Sequence, residues 1–391
     1  MKETTTRPTG WLLTVEPLGN TITWSLMRND GRTELVGVGQ LRDTTELQQV
    51  ARRVTPSTSA AAQDGGWSGL WASLLTDPHT ERSSMRQLGS ALLPEELRGA
   101  LAVTRSVPDL VTVATRGWLV GVPWELMSVD ESGDVRLIER ARVVAGLSPV
   151  ILGTRRATAV ARHSSEPGCA VVDPGPVAGS VRSLYPAGVP RRLLDGLTVA
   201  EDAGDGLLVD MTRDWLSYRL HQQPSRLFYL GHIRVPPREA QSGAALVLRG
   251  PSPDAATFLT AREWLAEPAR WPAPPRVALI GCASNDSGAY EQTGLVVAAV
   301  NAGAHVVTAT KWPLPTDHPS TQKPTIVAPV NQESLTDLAV AVHRAYTSPD
   351  VVAALRDWQL TELAQWRATG HPAHSPLFWA APVTYLATPS R

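Results

Sequence analysis

The chain has 391 residues, 43% of them hydrophobic and 19% charged, with a formal net charge of −1. Such a composition is that of a folded protein with ample core material, and the near-zero charge supplies no basic field for nucleic acid or an anionic membrane. No run reaches the roughly 18 apolar residues needed to span a bilayer. The opening residues, Met1 to Gly10, lack an apolar segment of signal-peptide type. These features predict a cytoplasmic protein that keeps its thiols reduced. Its two cysteines, Cys169 and Cys282, then need separate explanations, each as a buried apolar residue or as a nucleophile.

Residues 10–40 read as two or three strands, with a hairpin turn at Gly19-Asn20. Residues 43–63 begin helically and loosen, and 56–69 read as a linker. A helix is expected over Leu92–Leu101, with Pro94 tolerated in its first turn. Then comes a second β-rich piece, with strands expected at Asp109–Ala114 and Arg136–Val144 around the run Trp118–Met127. From residue 167 the pattern changes. Short continuous apolar runs (169–172, 226–230, 277–280, 305–310) alternate with helical patterns (199–222, 259–268, 291–303, 335–347, 350–368). That order implies an α/β fold, a largely parallel sheet flanked by helices on both faces, preceded by the β-rich piece and a small N-terminal accessory region. Residues 313–332, rich in Pro and Thr, read as a long loop. The division this suggests is 1–88 accessory, 89–166 an upstream part and 167–391 the core. In open α/β sheets the site lies at the carboxyl ends of the strands.

Two predicted strands end alike. Leu227–Leu230 is followed by Gly231-His232, and Val277–Ile280 by Gly281-Cys282. If the strands are neighbours, imidazole and thiol share one edge of the sheet. A free thiol, with a pKa of about 8.5, is mostly protonated at neutral pH and needs a base beside it. A histidine both takes that proton and later supplies one to a leaving amine. Backbone N–H groups at Cys282 and near His232, in the stretches of Gly231, Ile233 and Gly281, are the natural oxyanion donors. The histidine precedes the cysteine by fifty residues, the order and spacing of caspases, although Ile280-Gly281 replaces their Gln-Ala before the cysteine. Against this stands the plainer possibility that Cys282 is core and His232 a surface residue. Cys169, followed by Ala-Val-Val, reads as core. No phosphate-binding Gly-Lys-Ser/Thr loop and no His/Cys pair at metal spacing occurs, so neither metal nor cofactor is expected. His371 and His374 read as solvent-exposed.

From about Leu92 to Leu386 the chain resembles the CHAT family of caspase-like cysteine peptidases. The resemblance rests on Leu119-Val120-Gly121-Val122-Pro123-Trp124-Glu125-Leu126-Met127, Tyr229-Leu230-Gly231-His232, Leu259-Thr260-Ala261 and Gly281-Cys282-Ala283-Ser284. Asn301-Ala302-Gly303-Ala304, Lys311-Trp312-Pro313 and Ser375-Pro376-Leu377-Phe378-Trp379-Ala380 follow in order. It implies an endopeptidase with Cys282 as nucleophile and His232 as general base and acid, acting on a partner protein in a regulated step of bacterial defence or cell death. An activator would engage the N-terminal region. The family usually has glycine after its histidine; Ile233 stands there, and Ile disfavours positive φ. This keeps open a second reading, an inactive member that serves as an interaction module. Asp173, Asp286 and Trp312 are candidates for the substrate pocket, with Arg234 or Arg262 suiting an acidic substrate residue instead.

Overall fold

The structure is a computed structural model. It describes residues 10–18, 21–29, 33–42, 74–102, 108–153, 168–174, 184–185, 189–194, 211–234, 244–250, 256–281, 292–312, 314 and 332–387. The strands are β1 (Gly10–Leu18), β2 (Thr21–Asn29), β3 (Thr33–Arg42), β4 (Asp109–Thr115), β5 (Ala141–Ala145), β6 (Cys169–Val172), β7 (Arg226–Gly231), β8 (Ile233–Arg234), β9 (Ala245–Arg249), β10 (Ala256–Thr260), β11 (Arg276–Gly281), β12 (Val306–Thr310) and β13 (Pro382–Leu386). The helices are α1 (Pro78–Leu92), α2 (Glu95–Leu101), α3 (Leu137–Arg140), α4 (Pro149–Gly153), α5 (Arg191–Leu194), α6 (Arg213–His221), α7 (Ala261–Ala266), α8 (Gln292–Asn301), α9 (Gln332–Thr347), α10 (Val351–Thr369) and α11 (Pro376–Trp379).

Ten strands form one sheet in the order β3-β2-β1-β4-β5-β13-β12-β11-β7-β6, and β10-β9-β8 form a small second sheet. The large sheet is mostly parallel; β2, β3 and β13 supply its antiparallel pairs. The β-rich piece expected ahead of the core is present, and it continues the same sheet through β4 and β5. The strands from the stretch expected as an accessory region join it too, because β1 pairs in parallel with β4 from Gly10↔Leu110 onward.

Alternation along the strands decides which core each side chain enters. On β7, Phe228 and Leu230 face the core formed with α9 and α10, while Leu227 and Tyr229 face the one formed with α6, α7 and α8. The same holds on β11, with Ala278 and Ile280 on one side and Val277 and Leu279 on the other. Both faces are dry, so these strands carry no polar alternation. Capping fixes several helix starts: Asp350 accepts from the Ala353 N–H (3.0 Å) and Thr260 from the Glu263 N–H (3.1 Å). Gly370, at φ 61°, closes α10 in the left-handed conformation.

Two local expectations are corrected, and one stretch left open is settled. The run Trp118–Met127, given no element by the sequence, forms two 3₁₀ turns, Gly117–Gly121 and Trp124–Leu126. Gly117, Gly121 and Pro123 break the run, and the Trp124 indole N–H donates to the Leu119 carbonyl at 3.0 Å, folding it on itself. The strand expected over Arg136–Val144 starts only at Ala141. Leu137–Arg140 is a helical turn, held by the Glu139 carboxylate accepting from the Arg136 N–H at 2.6 Å. Helix α2 starts after Pro94, which cannot donate a helical hydrogen bond, and Leu92 ends a separate helix. The expectations over 43–63, 56–69 and 313–332 fall largely or wholly outside the described residues. Among the described residues, no helix is long and apolar enough to cross a membrane.

Candidate active site

Strands β7 and β11 are adjacent and parallel. Their register runs from Arg226↔Arg276 to Gly231↔Gly281, so the glycines before His232 and Cys282 face each other across the last rung. Cys282 and Asp286 lie outside the described residues.

His232 is a corner. The chain leaves the large sheet at Gly231 and enters the small one at Ile233, which pairs with Leu246. The His232 carbonyl is held twice, by the Tyr229 hydroxyl at 2.6 Å and by the Val247 N–H at 3.1 Å. The Tyr229 hydroxyl also accepts from that N–H at 3.1 Å, so one buried phenol ties the corner to both sheets. His232 is 8% exposed. Gly231 is required here, since a Cβ would stand 2.7 Å from the Tyr229 hydroxyl.

Gly281 is required for a different reason. A Cβ there would stand 2.4 Å from Ile233 Cδ1. The Ile233 side chain therefore lies against Gly281, and the residues flanking His232 and Cys282 are fitted to each other. Among the described residues, Asp173 and Gln223 are the non-glycine positions with positive φ. Ile233 has strand geometry instead. The Gly281 carbonyl accepts from the Thr310 hydroxyl at 3.2 Å, which ties the end of β11 to the end of β12.

Asp173 follows β6 at the same edge, with φ 46°. Its N–H donates to the Leu230 carbonyl at 2.7 Å, and Oδ2 accepts from the Tyr185 N–H at 3.0 Å; this carboxylate caps a loop. Trp312, a candidate for the pocket, is a core residue: it is fully buried and its indole N–H donates to the Leu377 carbonyl at 2.8 Å. Arg262 is exposed on α7, and Arg234 belongs to β8. Cys169 is buried, and burial pushes its thiol up to about 12, which makes it inert. His374 is not a free surface residue; its Nδ1 lies 2.8 Å from Glu362 Oε2.

Sequence reading missed the buried pair beside this edge. Lys311, just past β12, meets Glu125 at 2.5 Å and gives a second bond to the Ala380 carbonyl at 2.7 Å. Burial pushes the Glu125 carboxyl up and the Lys311 ammonium down, each opposed by the charge of the other. The signal was there: each is a lone charge in an apolar stretch, which is tolerated only with a partner.

A mixed, largely parallel sheet with helices on both faces and a strand-end histidine defines an α/β fold of caspase-like type. The CHAT domain family model matches residues 82–323, a span that includes both His232 and Cys282. The chain belongs to the CHAT domain family, a family of caspase-like peptidases. No curated protein matches it.

Proposed function

We propose that this chain is a cysteine endopeptidase acting on a partner protein, with Cys282 as nucleophile and His232 as its base and acid. The observation that carries this reading is the Gly231↔Gly281 rung. Each catalytic candidate is one peptide unit beyond it, about 3.8 Å between successive α-carbons. In the proposed reaction the His232 imidazole takes the thiol proton as sulfur attacks the peptide carbonyl. Backbone N–H groups at this edge stabilise the oxyanion. The proton then passes to the leaving amine, giving a thioester. Water, deprotonated by the same imidazole, hydrolyses the thioester and restores the thiol.

The test is cleavage of candidate substrate proteins, foremost those encoded beside this chain, with and without Cys282→Ala. The variant should lose about 10³-fold or more of the activity; undiminished cleavage would sink the assignment. A thiol-reactive probe should label Cys282 fast near neutral pH, and slowly once His232 is replaced by Ala.

The alternative is an inactive member that works as an interaction module. It is favoured by Ile233, which fills the space over Gly281. Slow labelling that is indifferent to His232 would establish it. In either case we propose that an activator or regulator engages the N-terminal strands. The outermost, β3, exposes Leu35 (59%) and Val38 (66%), and exposed apolar edge strands are pairing surfaces. On the family resemblance alone, we propose that such control serves bacterial defence or cell death.

A further inference from the structure

One joint of the ten-stranded sheet is nearly empty of pairing. Strands β5 and β13 share the single rung Tyr385↔Ala145, whereas β5 shares five with β4 and β13 five with β12. The joint holds a cavity of about 410 Å³, at the lower end of the about 300–1,000 Å³ usual for small-molecule sites. The cavity crosses the plane of the sheet. Leu355 of α10 belongs to the core on one face, Leu147 and Ile151 pack on the core of the other, and all three line it. Val143, Val352 and Val383 add aliphatic wall.

Among the described residues, five charged side chains line the slot, and four cancel as pairs. Arg116 meets Glu16 at 3.1 Å, and Lys311 meets Glu125. Arg356 is the fifth. Its nearest carboxylate, Asp357, is 3.8 Å away and 76% exposed, so solvent screens the contact. Its Nε and Nη2 donate to the Ile138 and Glu139 carbonyls at 2.8 and 3.1 Å, which fixes the guanidinium in place. Burial holds its pKa below the usual value, opposed by the charges of Asp357 and Glu139.

We propose that this slot binds a linear aliphatic carboxylate, its chain threading between β5 and β13 and its head meeting Arg356. The shape selects a chain. Strands joined at one rung stand about 4.8 Å apart there, and the unpaired lengths beyond that rung border the cavity as two strand edges. A peptide strand would need about twice that spacing between the two edges to pair with both. The surplus positive charge selects an anionic head over a neutral or cationic one.

The experiment is calorimetric titration of the full chain with decanoate and decyltrimethylammonium, each below its micellar concentration, and with decanol below its solubility limit. Decanoate should bind saturably at one site, decanol at least tenfold more weakly, and the cation not at all. Arg356→Gln should weaken decanoate at least tenfold and leave decanol unchanged. Val383→Phe, filling the slot from the sheet, and Val352→Phe, filling it from the helix, should abolish binding while circular dichroism stays native. Absence of decanoate binding, equal binding of the three head groups, or native affinity in both filled variants would each overturn the proposal. Should Arg356→Gln fail to fold, the head-group series and the filled variants still decide. No readout depends on peptide hydrolysis, so the result stands whatever the activity at Cys282.

Discussion

The two halves of the large sheet are built on different terms. In β6, β7 and β11 every second side chain enters one core and the alternate ones enter the other. In β1 and β4 the buried side chains Leu13, Val15, Val111 and Val113 all enter the first core, and Leu12 on the opposite face is 36% exposed. One core thus runs the length of the sheet, while the second stops near β5 and β13, where the pairing also thins. Doubly covered strands hold a corner such as His232 in place; among the described residues the singly covered ones bury one face only. The contrast separates a half that carries the His232 edge between two cores from a half with one core.

The sharpest way to break the comparison is at its border. Lys311→Met strands the Glu125 carboxylate in a dry site and should cost about 3–5 kcal/mol in urea denaturation. Lys311→Met combined with Glu125→Gln should recover much of that. A loss below 1 kcal/mol for the single variant would mean that the pair is wet. Next, Leu279→Ala on β11, 1% exposed, should cost about 2–5 kcal/mol. Val38→Ala on β3, 66% exposed, should stay within about 0.5 kcal/mol. Similar values for the two would erase the distinction between the halves.

A pH series tests the doubly covered half through His343. Its ring is 5% exposed and packs edge-on against Phe228 at 5.6 Å. Burial, with Arg226 and Arg344 nearby, lowers its pKa from 6.5 to about 4. A depressed folded-state pKa means stability that is complete above about 6.5 and is lost as pH falls through 4, amounting to about 3 kcal/mol. His343→Phe should flatten stability over that window. An unchanged slope would show that the loss belongs to other groups.

Two glycines should give modest effects of opposite sign. Gly281→Ala drives a methyl into Ile233 and should cost about 1–3 kcal/mol, part of which Ile233→Ala should restore in the double variant. Gly99→Ala, in the exposed part of α2 with nothing within 4 Å of the added Cβ, should instead stabilise by about 0.5–1 kcal/mol. Thermal unfolding distinguishes the opposite signs.

Local pattern alone announced the two apolar runs that end in Gly-His and Gly-Cys, the strands of the N-terminal hairpin, the helices around 292–301 and 351–369, and the burial of Cys169. Each is written in neighbouring residues, because periodicity and glycine act over a few positions. Tertiary structure decided what those residues meet. It set Gly231 opposite Gly281, laid Ile233 on Gly281, joined β1 to β4, folded Trp118–Met127 into turns, and brought Glu125 to Lys311 across 186 residues. It also left β5 and β13 joined by a single rung. Register and partner choice depend on which distant surfaces fill one another's space, and no short stretch of sequence records that.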